Sequence, residues 1–334
     1  MATPIKPKHL ITGISKSAND DIISITIKDS RGTKGDTLTF KVSNPNYKYS
    51  SPAKGTILQV FLGYEETGLV NMGTFMLDKV EHDEQQAIFM TITANSQYHH
   101  ENSVKAPRDK KYTNLTLGEI FGEIAARNGY KSVVDPVMAS IKVTHIVQKA
   151  QSDTAFASEL AAKYDGYVKY QDGKMVVLDG GSTSGIVIIK KGTPTTISAG
   201  GVVVDTAIGI SSETSTRTEY KSVKCPWRNI DQGKTKYETA GDGEPVYKIS
   251  GTKIHTKAEA LQMATKKFAE LKRGEKQLKT MKLPGNQNIR AEMQLEVIGF
   301  HPETNGSYII EDVTHSYQTG GGYTTSIDKT EPKK

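Results

Sequence analysis

Ser51-Pro-Ala-Lys54 has the Ser-x-x-Lys spacing with which some acyl enzymes place a lysine one helical turn from a serine nucleophile. That chemistry needs a helix. The neighbours Asn44-Pro45 and Gly55, followed by a strand-like run, predict a loop instead. His99-His100-Glu101 gathers three potential metal ligands. Adjacent strand residues point to opposite faces, and no His-x-x-x-His pair completes a zinc set, so a structural or solvent-facing role is expected. His145 precedes a helix, and no Gly-x-Ser-x-Gly nucleophile accompanies it. Gly180-Gly-Ser-Thr-Ser-Gly185 and Gly320-Gly-Gly322 lack a following Gly-Lys-Ser/Thr and read as turns, not phosphate cradles. Glu65-Glu66 and Asp20-Asp21 lie in loop-like sequence with nothing to raise a carboxyl pKa for acid catalysis. The single Cys225 excludes an internal disulfide and any multi-cysteine metal centre, and it suits a reducing compartment. The expected site therefore holds no catalytic, cofactor-binding or metal-binding residue, and no cofactor is expected.

Charge is concentrated rather than spread. Lys253, Lys257, Lys266, Lys267, Lys272, Arg273, Lys276, Lys279, Lys282 and Arg290 face only Glu259, Glu270 and Glu275, a local +7 in a chain of net charge +6. Three readings compete: a solvated helix face, a surface that docks on an acidic neighbouring subunit, and a nucleic-acid contact. Aromatic residues are too sparse there for a base-stacking platform.

The elements that would position these residues are mainly strands. Ile23, Ile25 and Ile27 alternate with polar residues, as do Leu38, Phe40 and Val42, then Leu58, Val60 and Leu62, then Ile88, Met90 and Ile92. Residues 1–97 thus predict a small antiparallel barrel or sandwich of five to seven strands. The middle, 98–180, predicts an α+β unit. Thr116-Leu-Gly-Glu119 is a capping box ahead of Leu117, Ile120, Phe121 and Ile124 at helical spacing, with Asn128-Gly129 as the stop. A second helix is expected from Asp153, as its cap, to Tyr164, followed by a hairpin through Asp172-Gly173. Residues 181–205, rich in Gly, Ser and Thr, read as strands and linker, with apolar runs at 186–189 and 202–204. Strands return over 206–334 around a helix at 256–273, whose stripe is Ala258, Leu261, Ala264, Phe268 and Leu271. The 334 residues carry 36% apolar and 24% charged residues, with no run long enough to span a membrane and no secretory leader, so a soluble chain is expected.

The two β-rich ends repeat each other. Gln59–Tyr64 matches Leu295–Phe300, Phe75–His82 matches Tyr308–His315, and Phe89–Thr93 faces Tyr323–Ile327, at offsets of 236, 233 and 234 residues. His82 and His315 fall at equivalent positions, which predicts packing or turn bonding for both.

These features resemble the late control gene D family of tailed phages, the baseplate hub or tail-tip proteins. Tyr112-Thr-Asn-Leu-Thr-Leu-Gly-Glu-Ile-Phe-Gly-Glu-Ile-Ala is similar to that family's first helix. His145, Gln148, Ser152-Asp153, Phe156 and Leu160-Ala161 resemble its signature, and Ile25–Asp29, Gly32 and Asp36–Phe40 resemble its opening strands. The resemblance implies a β-rich α+β chain: two related small antiparallel tube-type β-barrels flanking an α+β domain. It implies a non-enzymatic hub, a homotrimer whose six barrels form a pseudo-sixfold ring joining the tail tube protein to a separate trimeric spike protein. Tape-measure and other baseplate proteins would be further partners. The implied location is the virion tail, with assembly in the bacterial host cytoplasm, without a membrane anchor or sequence-specific nucleic acid. The competing readings are a tail-associated cell-wall hydrolase and a nucleic-acid module using residues 253–290.

Overall fold

The computed structural model describes the chain except residues 1–5, 33–34, 85–87, 97–105, 172, 182, 192–195, 199–208, 215–219, 230–231, 251–253, 274–275 and 333–334. His99-His100-Glu101, Asp172 of the hairpin turn, Ser182, the 202–204 run, Lys253 and Glu275 lie outside the described residues.

The first part of the chain contributes β1 (Pro7–Ile11), α1 (Lys16–Asp20), β2 (Ile22–Ser30), β3 (Thr37–Ser43), β4 (Ile57–Tyr64), β5 (Gly68–Asp83) and β6 (Phe89–Asn95). Their alternation has its expected consequence: Ile25, Ile27, Leu38, Phe40, Leu58, Val60 and Leu62 are fully buried in one cluster. Each such side chain contributes roughly 1.5–3 kcal/mol of burial.

The middle part contributes β7 (Arg108–Thr116), α2 (Leu117–Arg127), β8 (Lys131–Val134), α3 (Pro136–Ala139), β9 (Lys142–Gln151), α4 (Asp153–Lys163), β10 (Gly166–Gln171) and β11 (Lys174–Asp179). β7 and β9 form a ribbon, and β10, β11 and β8 form a three-stranded sheet. The capping box forms: the Glu119 N–H donates to Thr116 Oγ1 at 3.2 Å and the Thr116 N–H to Glu119 Oε2 at 2.7 Å. Leu117, Ile120, Phe121 and Ile124 are buried as expected. The second helix differs by one residue. Ser152 is its cap, accepting from the Ala155 N–H, and Asp153 stands inside the first turn with its carboxylate buried. Gly166 is required by close approach, since a Cβ there would lie 2.8 Å from the Leu178 carbonyl oxygen.

The last part contributes β12 (Ile186–Lys190), β13 (Thr196–Ser198), β14 (Gly209–Thr214), β15 (Ser222–Asn229), β16 (Lys234–Gly241), β17 (Val246–Lys248), α5 (Lys257–Arg273), β18 (Lys276–Pro284), β19 (Gln294–Ile298), β20 (Gly306–Gln318) and β21 (Gly322–Pro332). β15, β16 and β17 make a separate small sheet, and α5 packs on it. The face that α5 buries is rotated from the expected stripe. Ala260, Met263 and Ala264 are inside, with Phe268 and Leu271 partly buried against the same core, while Ala258 and Leu261 are exposed. The sheet that α5 covers lies on the 260–263–264 side, and sequence spacing alone allowed either stripe.

Thirteen strands form one continuous sheet, and its order displays the repeat. The first half runs β1-β4-β5-β6-β3-β2, and the second runs β12-β19-β20-β21-β18-β14. Each long strand carries a register shift at the same repeat position, between Leu77 and Lys79 on β5 and between Ile310 and Asp312 on β20. The paired residues Leu58–Phe75 and Leu295–Tyr308 align β4 with β19 at an offset of 237, one more than the string match. A strand has period two, and only that shift puts buried Leu58 and Val60 on buried Leu295 and Val297. The halves are joined because β20 has one edge divided between two neighbours: Gly306–Ile309 pair with β19, and Asp312–Gln318 pair with β2. The strands follow an open path, not the two closed barrels expected, since each half spends an edge on the other. Each half nevertheless has its own apolar core.

Candidate functional site

None of the motif candidates is assembled for chemistry. Residues 51–53 have no regular secondary structure and Lys54-Gly55 form a turn, so Ser51 and Lys54 share no helix. Ser51 Oγ lies 3.0 Å from His82 Nε2, but both are exposed, and His82 has no second partner among the described residues to orient its ring. Asp21 of the Asp20-Asp21 pair is occupied by Lys48 Nζ at 2.8 Å and the Tyr49 hydroxyl at 2.5 Å, which hold its carboxyl below its ordinary range. Among the described residues no group of three or more His, Cys, Asp or Glu is placed to hold a metal ion. No helix among them is long and apolar enough to cross a membrane.

The basic stretch does not form one open patch. Lys266 pairs with Asp179, Lys267 with Glu270 at 2.6 Å, and Arg290 Nη2 donates to the Asn71 carbonyl at 3.0 Å. Lys266 and Lys267 thus spend their charge on pairs within the chain.

The most chemically distinctive place is where the middle part meets the two sheet halves. β10 lies against the end of β2. Lys169 Nζ on β10 reaches Asp29 Oδ1 of β2 at 2.9 Å, Asp36 Oδ1 at 3.4 Å and Glu292 Oε1 at 3.7 Å. The second oxygen of Asp29 accepts from the Ala291 N–H at 3.1 Å. Asp36 accepts from the Ser30 N–H at 3.1 Å, and its own N–H donates to Ser96 Oγ. These side chains and Arg290 line a cavity of about 340 Å³. Burial pushes Asp36 up to about 7, and the neighbouring Asp29 charge adds to this. Burial also pushes Asp29 up, but the Lys169 charge and hydrogen bond outweigh it and leave Asp29 below its ordinary value. Burial opposes the charge on Lys169, yet its three carboxylates hold its pKa above the normal lysine value. Burial raises Glu292, whose Oε1 makes no hydrogen bond among the described residues.

Two residues before Lys169, on the same face of β10, Tyr167 packs under the Arg31 guanidinium, 4.5 Å from ring centre to Cζ. Arg31 also donates to the Gly180 carbonyl and pairs with Glu331 Oε2 at 3.1 Å. Lys329 Nζ lies 2.5 Å from Glu311 Oε2. Burial and the Glu331 carboxyl push Glu311 up to about 7.

Two other buried centres support this joint. Asp153 accepts from Arg127 Nη2 at 2.7 Å, Asn128 Nδ2 at 2.8 Å and Gln148 Nε2 at 2.9 Å. Burial pushes its carboxyl up, but those bonds more than offset this and hold it below its ordinary value. His315 is fully buried, with Nε2 3.0 Å from the Ile289 carbonyl and Nδ1 2.8 Å from the Tyr323 hydroxyl. The carbonyl can only accept, so Nε2 carries the proton, and Nδ1 accepts from the Tyr323 hydroxyl or from Thr325 Oγ1, 3.2 Å away. Burial lowers His315 to about 3, so it is neutral. The repeat position thus has two fates, His82 exposed and His315 buried, where packing or turn bonding was expected of both.

Sequence reading missed Lys169, Asp29, Asp36 and Glu292 as a group. The one local signal is a lysine between Val168 and Tyr170 in a buried hairpin strand. Asp29 and Asp36 flank the β2–β3 turn, but Lys169 and Glu292 come from distant segments, so no spacing joins the four. The cluster ties β10 to the β2–β3 turn and to the segment before β19.

No protein-family model matches the chain. The probable baseplate hub protein of Escherichia phage P2 is 26% identical over 358 residues, spanning 94% of this chain and 89% of that protein. The chain is a homologue of phage baseplate hub proteins. A second hub relative, the probable baseplate hub protein of Escherichia phage 186, is 30% identical over 184 residues, which is 54% of this chain and 47% of the relative. Among solved structures, a 43 kDa prophage tail protein from Shewanella oneidensis shares the fold with a TM-score of 0.70, covering 98% of each chain at 12% identity. The β-rich fold is therefore shared by two chains of very low sequence identity.

Proposed function

We propose that the chain is the structural hub of a phage or phage-derived baseplate, and that it works as a homotrimer rather than as an enzyme. The observation that carries this reading is the repeated strand order β1-β4-β5-β6-β3-β2 and β12-β19-β20-β21-β18-β14 in one subunit. Three such subunits present six sheet halves of the same strand order, with the edge strand antiparallel in β1–β4 and parallel in β12–β19, which suits a pseudo-sixfold ring bridging a sixfold tube and a threefold spike. In this reading residues 1–97 and 206–334 act as tube-type barrels completed in the assembly, 98–180 braces the ring, and 181–205 connects them. The partners are the tail tube protein on one side and a separate trimeric spike on the other, with tape-measure and other baseplate proteins alongside. Assembly takes place in the host cytoplasm.

Homology to the P2 and 186 hub proteins supports the assignment. Native mass measurement of the purified protein, alone and with spike, is the direct test. Three copies per complex are expected, and a strict monomer under both conditions would reject the ring. In purified particles the hub should be present at three copies per tail. Peptidoglycan clearing abolished by replacing one acidic residue would reassign the chain as a hydrolase.

A further inference from the structure

We propose that the outward face of the β15–β16–β17 sheet binds single-stranded nucleic acid without sequence preference, a function separate from the hub role. The face follows from the period of a strand. Val223 and Cys225 of β15 and Ala240 of β16 are buried in one core with α5. Alternate residues point the other way, so Lys224, Pro226 and Arg228 share the opposite face with Thr235, Tyr237 and Thr239 of β16 and Lys248 of β17. Register places Lys224 beside Lys248 and Pro226 opposite Tyr237. Tyr237 is 59% exposed, Arg228 and Lys248 are exposed, and Lys224 is half-buried.

The three cations of this face have no anion of their own. Among the described residues none of Lys224, Arg228 and Lys248 makes an ion pair or a side-chain hydrogen bond. The acids of this sheet stand elsewhere. Glu238 is on the α5 side, where it accepts from Trp227 Nε1 at 3.1 Å, and Asp242 and Glu244 belong to the turn at the Ser222 end, away from Arg228. Lys224 and Lys248 sit on neighbouring strands about 4.8 Å apart. Like charges so opposed cost the sheet stability, and a phosphate set between them removes that cost. Along β15, Lys224 and Arg228 are roughly 13 Å apart, and Tyr237 stands between them on the next strand. A base stacks on such a ring while the phosphates on either side meet the cations, and every base has a face to stack. The ring favours nucleic acid over an acidic protein surface, because the negative face of a phenol repels a carboxylate. The threonines around it leave little apolar surface to enter a lipid layer.

Fluorescence anisotropy of a labelled ten-nucleotide oligothymidylate with the full-length protein tests the site. Affinity should fall about twentyfold between about 50 and 200 mM salt, because three phosphates neutralised on a single strand give a log–log slope near −2. In the Lys224→Gln/Lys248→Gln double variant that fall should shrink to about threefold. Tyr237→Ala should weaken binding about tenfold, and Tyr237→Phe, which keeps the ring, should bind as wild type. Lys257→Gln on α5 should leave affinity unchanged. Trp227, the only tryptophan, lies on the α5 side of the sheet, so its emission reports whether each variant is folded. No wild-type binding at low salt, equal losses in Tyr237→Ala and Tyr237→Phe, or a loss in Lys257→Gln without one in the double variant would overturn the proposal. So would competition by poly-L-glutamate or phosphatidylglycerol vesicles as strong as that by unlabelled oligonucleotide, which would move the face to an acidic protein or a membrane. Should a variant not fold, amide hydrogen exchange of the wild type decides: the oligonucleotide should slow exchange in β15 and β16, and slowing confined to other elements refutes the site.

Discussion

Asp153 and Asp36 are both buried aspartates beside a cation, yet their surroundings move them in opposite directions. Asp153 sits within the middle part, where the Arg127 guanidinium and two amide donors saturate both oxygens. Its bonds outweigh burial and it stays ionised. Asp36 sits between parts, shares Lys169 with Asp29 and Glu292, and is pushed up to about 7. The difference is the supply of donors. A single unit can grow a complete shell around one charge, whereas a joint assembled from three segments divides one ammonium among three acids.

Three substitutions break or sharpen that contrast. Asp153→Ala should be the most damaging, costing about 4 kcal/mol in denaturant unfolding, because it strands buried guanidinium and amide donors. Lys169→Met should cost about 3 kcal/mol at pH 8 and clearly less at pH 5, where the three acids can neutralise themselves by taking up protons. Equal cost at both pH values would mean the joint acids never titrate. Asp36→Asn should gain about 1 kcal/mol at pH 8 and change little at pH 5. Between the ordinary carboxylate pKa and about 7 the folded chain holds a proton on Asp36 that the unfolded chain has released. The stability from Asp36 is therefore full in acid and lost as pH rises through about 7. Asp153 has the opposite sign, its contribution being present above the ordinary carboxylate pKa and lost as pH falls.

The smallest effects separate the two repeat histidines. His315→Gln should cost about 1 kcal/mol at neutral pH through its two buried hydrogen bonds, and His82→Gln under ~0.5 kcal/mol. His315 should also add acid lability: the unfolded ring gains a proton below about 6.5, while the folded ring stays neutral to about 3. A wild-type stability profile that keeps its slope between pH 3 and 6 in His315→Gln would assign that lability to other groups.

Local order was legible in the sequence because it rests on near neighbours. Alternating Ile25–Ile27 and Leu38–Phe40–Val42 specify strands, and Thr116 with Glu119 specifies the start of α2, whatever surrounds them. The repeat was legible to within one residue. Its true register depends on which faces are buried, and that is a property of the sheet. The helix stripe of α5 was misassigned for the same reason, since Leu261 and Met263 are equally apolar until something packs on one side. What only the tertiary structure decided is long-range: β20 dividing its edge between β19 and β2, the open path that results, and Lys169 meeting Asp29, Asp36 and Glu292 across distant segments. Sequence patterns record the period of a strand or helix. Neither the choice of strand neighbour nor the pKa of a buried acid has a period, because both depend on which distant residues supply the missing hydrogen bonds.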